Sequence, residues 1–107
     1  MTDEALFACD MAAMSPEQRA EHHAITRRLI SELAAPVTTT ADAISLTVPH
    51  RAYEDVARFI ALERLCCPFL HFSLEIPPSE AAITLTLSGP TGAAEFIRAE
   101  LGLPQSS

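Results

Sequence analysis

The densest chemistry in this chain is the run Glu63-Arg64-Leu65-Cys66-Cys67-Pro68-Phe69, in which a carboxylate is followed at three and four residues by adjacent thiols. Thiolates are soft metal ligands and strong nucleophiles, and a carboxylate beside them can ligate a cation, orient another ligand or carry a proton. A third thiol, Cys9, stands next to Asp10 near the start. If the first segment lies across the end of the helix that carries the pair, Cys9, Cys66 and Cys67 make a trigonal set suited to Cu(I), Zn(II) or Hg(II). An odd number of cysteines, three, argues against a disulfide framework and for free thiols. A bond between neighbouring cysteines is strained, so none is expected between Cys66 and Cys67.

From His50 to Cys67 the pattern is helical, ending before Pro68, which disfavours helical geometry in the residue it follows. At about 100° per residue, Ala52, Val56, Phe59, Ile60, Cys66 and Cys67 share one core-facing arc. Glu63 falls near its middle. Taking an ionised carboxylate out of water costs several kcal/mol unless it is paired, protonated or bound to a cation, so Glu63 requires a partner. Cys66 and Cys67 lie one turn away on the same helix. His22 lies on the Ile25, Leu29 and Leu33 face of an earlier helix and is a weaker candidate ligand. His71 follows the pair closely, but strand alternation sends it away from Leu70 and Phe72. His23 and His50 read as surface or boundary residues.

The plainer alternative is packing, because a free cysteine often only fills core volume. Two adjacent cysteines and a carboxylate on one apolar stripe are harder to explain that way. The spacing matches no established signature. There is no C-x-x-C of a zinc knuckle or redox pair, no P-loop, no G-x-S-x-G and no G-x-G-x-x-G.

The elements that must position these residues follow from turn and period signals. Ser15-Pro16-Glu17-Gln18 carries a capping box with proline in the first turn, and Pro36 stops the helix it opens. Val37–Thr40 and Ala43–Val48 read as a hairpin. Leu70, Phe72, Leu74 and Ile76 alternate with polar residues, as do Ile83, Leu85 and Leu87, and Pro77-Pro78-Ser79-Glu80 turns the chain between them. After Ser88-Gly89-Pro90-Thr91, a last helix carries Phe96, Ile97 and Leu101 until Gly102. The order helix, hairpin, helix, hairpin, helix predicts an α+β two-layer sandwich, with an antiparallel sheet of about four strands and helices on one face. The Thr- and Ser-rich face of that sheet is either solvated or paired with a second copy in a homodimer.

A chain of 107 residues with 49% hydrophobic content supports one domain over its whole length. The formal charge of −7, with scattered arginines, leaves no footprint for nucleic acid or an anionic membrane. Apolar runs are too short to span a bilayer, and the acidic start lacks the basic flank of a signal peptide, which predicts a cytoplasmic protein.

Three segments together, Cys9-Asp10-Met11 with Ser15-Pro16-Glu17-Gln18-Arg19, Ala61-Leu62-Glu63-Arg64-Leu65-Cys66-Cys67-Pro68-Phe69-Leu70-His71-Phe72, and Leu87-Ser88-Gly89-Pro90-Thr91-Gly92-Ala93-Ala94-Glu95-Phe96, span most of the chain. They resemble a family of small bacterial proteins marked by an early Cys-Asp, a central E-R-x-C-C-P-F and a closing T-G-P-x-G-x-x-x-F. Ser88 stands where that pattern has Thr. The resemblance implies that Cys9, Glu63, Cys66 and Cys67 occupy the pattern's polar positions and Pro90 and Gly92 its closing turn; it assigns no activity.

Three functions follow in order of preference. The first is binding of a metal ion or other small thiophilic ligand through Cys66, Cys67 and Cys9, with Glu63 as ligand or proton acceptor. The second is thiol catalysis or redox chemistry, with a cysteine such as Cys67 as nucleophile and Glu63 as acid or base. The third is a non-catalytic interaction module in which the cysteine pair is structural.

Overall fold

Ser15 opens the first helix as its sequence suggests, and both halves of the capping box are made. Its hydroxyl accepts the Gln18 backbone N–H at 3.1 Å, and its own N–H donates to Gln18 Oε1 at 2.9 Å. The structure is a computed structural model and describes residues 10–103. Helix α1 is Pro16–Ser31, with His22, Ile25 and Leu29 on its buried face. Strands β1 (Thr38–Thr39) and β2 (Ala43–Val48) follow, then a 3-10 turn over His50–Ala52 and helix α2 (Tyr53–Cys66). Strands β3 (His71–Glu75) and β4 (Ile83–Ser88) and helix α3 (Ala93–Glu100) complete the order, which is the expected alternation of helices and strand pairs.

The four strands form one antiparallel sheet in the order β1-β2-β4-β3. The β2–β4 register sets Ile44 opposite Leu87, Leu46 opposite Leu85 and Val48 opposite Ile83, all buried. Because side chains alternate along a strand, the same register pairs Ser45 with Thr86 (2.8 Å) and Thr47 with Thr84 (3.2 Å) through their hydroxyls on the opposite face. The inward strand residues join Val56, Phe59 and Leu62 of α2 and Ile97 of α3 in one cluster. Full burial of side chains of this size stabilises by roughly 1.5–3 kcal/mol each.

Two boundaries and the burial of one strand differ from expectation. Strand β1 is confined to Thr38–Thr39, both exposed, because it lies at the sheet edge. Helix α2 begins at Tyr53, the first residues of its apolar pattern being taken up by the tighter 3-10 turn. In β3, Phe72 and Leu74 are only half-buried, since this strand has a neighbour on one side only, and Ile76, expected as its last inward residue, lies just beyond its end and is 53% exposed.

Helices α1 and α2 run antiparallel, and their polar edges are fastened by two forked pairs. Arg28 donates to both carboxylate oxygens of Asp55 at 3.0 Å. Arg58 donates to those of Glu21 at 2.8 and 3.0 Å. Among the described residues no helix is long and apolar enough to cross a membrane.

Candidate metal centre

Glu63 is buried at 0% exposure on the α2 face that meets α1. Its partner is His22, which with Glu63 makes up the buried charged or polar residues among those described. His22 Nε2 lies 2.6 Å from Glu63 Oε1, and the imidazole stacks on Phe59 with ring centres 5.6 Å apart. Two clamps further along the same seam, Glu21 to Arg58 and then Arg28 to Asp55, fasten the helix register in which the two residues meet.

The helix end places the thiols. Cys66 closes α2 and Cys67 is its C-cap, with the Cys67 N–H donating to the Glu63 carbonyl at 2.8 Å. The Asp10 N–H donates to the Cys66 carbonyl at 2.7 Å, which ties the entering chain to this end. The Cys66 thiol donates to the Glu63 carbonyl at 3.6 Å, and its sulfur lies 3.6 Å from that of Cys67, a non-bonded distance. Both cysteines are fully buried. The expectation that the thiols are all free fails at Cys67, whose sulfur is disulfide-linked. Among the described residues Cys66 is the free thiol. An odd cysteine count excludes a fully paired framework but not a single bond. Cys9 lies outside the described residues.

A further carboxyl comes from α3. The N–H groups of Gly102 and Leu103 close this helix on the carbonyls of Ala99 (3.2 Å) and Arg98 (2.8 Å), with Gly102 at a φ of 76° that a side chain would resist. That ending holds Glu100 in the last turn, half-buried, against Glu63. Two overlapping donor sets result: His22, Glu63 and Cys66, and Glu63, Cys67 and Glu100, with the ligand atoms of each set within 4.8 Å of one another. Glu63 belongs to both.

The electrostatics of the cluster are those of too many acids for the cations present. Glu63 Oε2 and Glu100 Oε1 are buried without a hydrogen-bond donor. Two carboxylates in contact have no donor between them unless one keeps its proton. Burial, the Glu63 charge and a hydrogen bond with Glu63 accordingly push the Glu100 carboxyl up to about 9. Burial, followed by the charges of Glu63 and Glu100, pushes the Cys66 thiol up to about 12. Such a group of N, O and S donors can share protons or hold a divalent cation that replaces them.

The structure thus brings Glu63, Cys66 and Cys67 together, adds His22 as the direct partner of Glu63, and adds Glu100. His71 is exposed at the start of β3 and belongs to neither donor set. Glu100 escaped the sequence reading although the signal was present, since it lies three residues after Ile97 and seven after Ala93, on the buried face of α3.

No family model, curated protein or solved structure matches this chain.

Proposed function

We propose that the protein binds a transition metal ion of borderline to soft character at the base of the α1–α2 seam, through His22 Nε2, a Glu63 oxygen and Cys66 Sγ. The observation that carries this reading is the convergence of three buried donors of different type, from two helices, within 4.8 Å. A mixed imidazole, carboxylate and thiolate set suits Zn(II) above the hard ions, and Cu(I) or Hg(II) as the sulfur share rises. The unpartnered oxygens of Glu63 and Glu100 support it, because a cation can replace the proton that the two carboxyls otherwise share. Cys67 and Glu100 form the complementary set around the same carboxylate. A disulfide sulfur is a poor ligand, so Cys67 joins as a thiolate once its linkage is reduced.

Thiol chemistry is the second reading, favoured by the 3.6 Å approach of the free Cys66 thiol to the linked Cys67 sulfur. A thiol held at about 12 is protonated at neutral pH and reacts slowly, so this reading requires a cation or a structural change to activate Cys66.

The deciding experiment is elemental analysis of protein purified anaerobically under reducing conditions without a metal-affinity tag, followed by Co(II) substitution. Near-stoichiometric metal and a thiolate-to-cobalt charge-transfer band, both lost in Cys66→Ser and His22→Ala, are the expected result. Absence of metal after refilling with Zn(II), Co(II) or Cu(I) overturns the proposal, and rapid alkylation of Cys66 in that protein points to thiol chemistry instead.

A further inference from the structure

Beside the cluster, between one face of α1 and the end of α3, a cleft of about 600 Å³ opens to solvent. This lies within the size range of small-molecule sites, roughly 300–1,000 Å³. His22 and Glu100 reach it from the cluster side. Its α1 wall carries Arg19, His23 and Arg27 at four-residue spacing, so the three lie along one stripe of the helix. Met11, Ile30 and Leu101 supply apolar surface.

This wall runs against the charge of the molecule. The chain as a whole is at −7, yet the cleft sets two guanidiniums and two imidazoles against a single carboxyl, Glu100. Nor are all these cations already used. Arg28, Arg51 and Arg58 each pair with a carboxylate, and Arg19 donates to the Met11 and Met14 carbonyls at 3.3 and 2.7 Å. Arg27 has no ion pair or hydrogen bond among the described residues, and it is exposed at the rim one turn from His23.

We propose that this cleft binds a small organic anion, a carboxylate carried on an apolar chain, with Arg27 and His23 anchoring the charge and Ile30, Met11 and Leu101 covering the chain. A guanidinium matches a carboxylate with a fork of N–H donors, which gives orientation as well as attraction. A neutral molecule of the same shape forgoes that fork. An ammonium in its place meets only like charge along the α1 stripe. The site goes beyond the metal reading and stands without it, since none of its anchoring residues is a proposed metal ligand.

The test is a two-dimensional amide NMR titration of the metal-free full chain, in buffer without carboxylate or phosphate, using sodium hexanoate, hexan-1-ol and hexylammonium chloride as probes. Hexanoate should give saturable shifts centred on Thr26, Ile30 and Gly102, with the alcohol and the amine binding at least about tenfold more weakly. Arg27→Gln, at an exposed position without a partner, should weaken hexanoate about tenfold, while Arg51→Gln, away from the cleft, should leave it unchanged. No saturable shift with hexanoate, equal binding of the alcohol or the amine, or an Arg27→Gln protein that binds hexanoate as well as the parent each overturns the proposal. Since no metal is added, these outcomes are read separately from those for the metal site.

Discussion

The seam between α1 and α2 holds the same kind of contact in two settings. At its polar edge, Arg28–Asp55 and Arg58–Glu21 are forked pairs whose side chains remain about one third to one half exposed. A turn away, His22–Glu63 joins a nitrogen donor to a carboxylate with 7% and 0% of the side chains exposed. By geometry alone the outer pairs look as strong, since each makes two bonds where the inner pair makes one. Burial reverses that order. Water screens the outer pairs and solvates either partner if the other is removed, whereas Glu63 without His22 is left buried away from solvent with only the Glu100 carboxyl beside it. The outer pairs therefore fasten the register, and the inner pair carries the cost of burial.

The sharpest way to break this contrast is to remove His22. His22→Ala should destabilise the metal-free protein by roughly 3–5 kcal/mol in urea unfolding near neutral pH, the usual cost of stranding one member of a buried pair. Arg58→Ala, which removes a more fully hydrogen-bonded partner, should move the unfolding midpoint far less. If the two substitutions cost the same, burial is not what separates the pairs.

How much of this was legible beforehand differs residue by residue. That Glu63 needs a partner followed from its place on an apolar helical stripe, and the capping box, the strand alternation and the helix stop at Pro68 followed from local chemistry of the same kind. The identity of the partner did not follow. His22 and Glu63 are 41 residues apart, and only the packing of α1 on α2 shows which His faces which acid. β3 alternates as cleanly as β4, yet its apolar residues are less buried because it is at the sheet edge, a property of strand order and not of period. Glu100 was readable in principle by the argument used for Glu63, but an eight-residue helix offers a short stripe on which to notice it.

Next in size is the thiol. Cys66→Ser puts a hydroxyl where a buried sulfur now sits among acids, and it should cost roughly 1–3 kcal/mol in the metal-free protein. In the parent, Cys66 should alkylate slowly under native conditions at neutral pH. Its folded-state pKa of about 12 lies above the ordinary 9.0, so its contribution to stability is intact below 9.0 and is lost as pH rises toward 12. Fast native-state labelling would show that the carboxylates do not govern this thiol.

Glu100 gives a smaller effect with a distinctive pH dependence. Its folded-state pKa of about 9 lies above 4.5, so the folded protein keeps a proton that the unfolded chain releases. Stability from this group is fully present below 4.5 and declines as pH climbs to about 9. Glu100→Gln keeps the shape without the titration, and should flatten the decline, gaining about 1–2 kcal/mol over the parent near pH 8 once solvent access to this half-buried side chain is allowed for. A saturating divalent metal should flatten the parent's curve in the same way, because the cation takes the place of the proton. Parallel pH curves for parent and variant would remove Glu100 from the acid pair.

The smallest effect belongs to the outer clamp and completes the comparison. The Arg28 guanidinium, hydrogen-bonded to Asp55, holds that carboxyl below its ordinary value of 3.8. A depressed carboxyl contributes stability above its unfolded pKa and loses it as pH falls through the folded one, so the Asp55 contribution should disappear only in acid, the opposite direction to Glu100. Asp55→Asn should therefore shift the unfolding midpoint slightly at neutral pH and not at all in strong acid. Raising salt to about 0.5 M, where the screening length is shorter than the spacing of most surface charges, should shrink that shift while leaving the His22→Ala penalty almost untouched. An Asp55→Asn effect that resists salt would mean the clamp is an energetic part of the seam and not only its register.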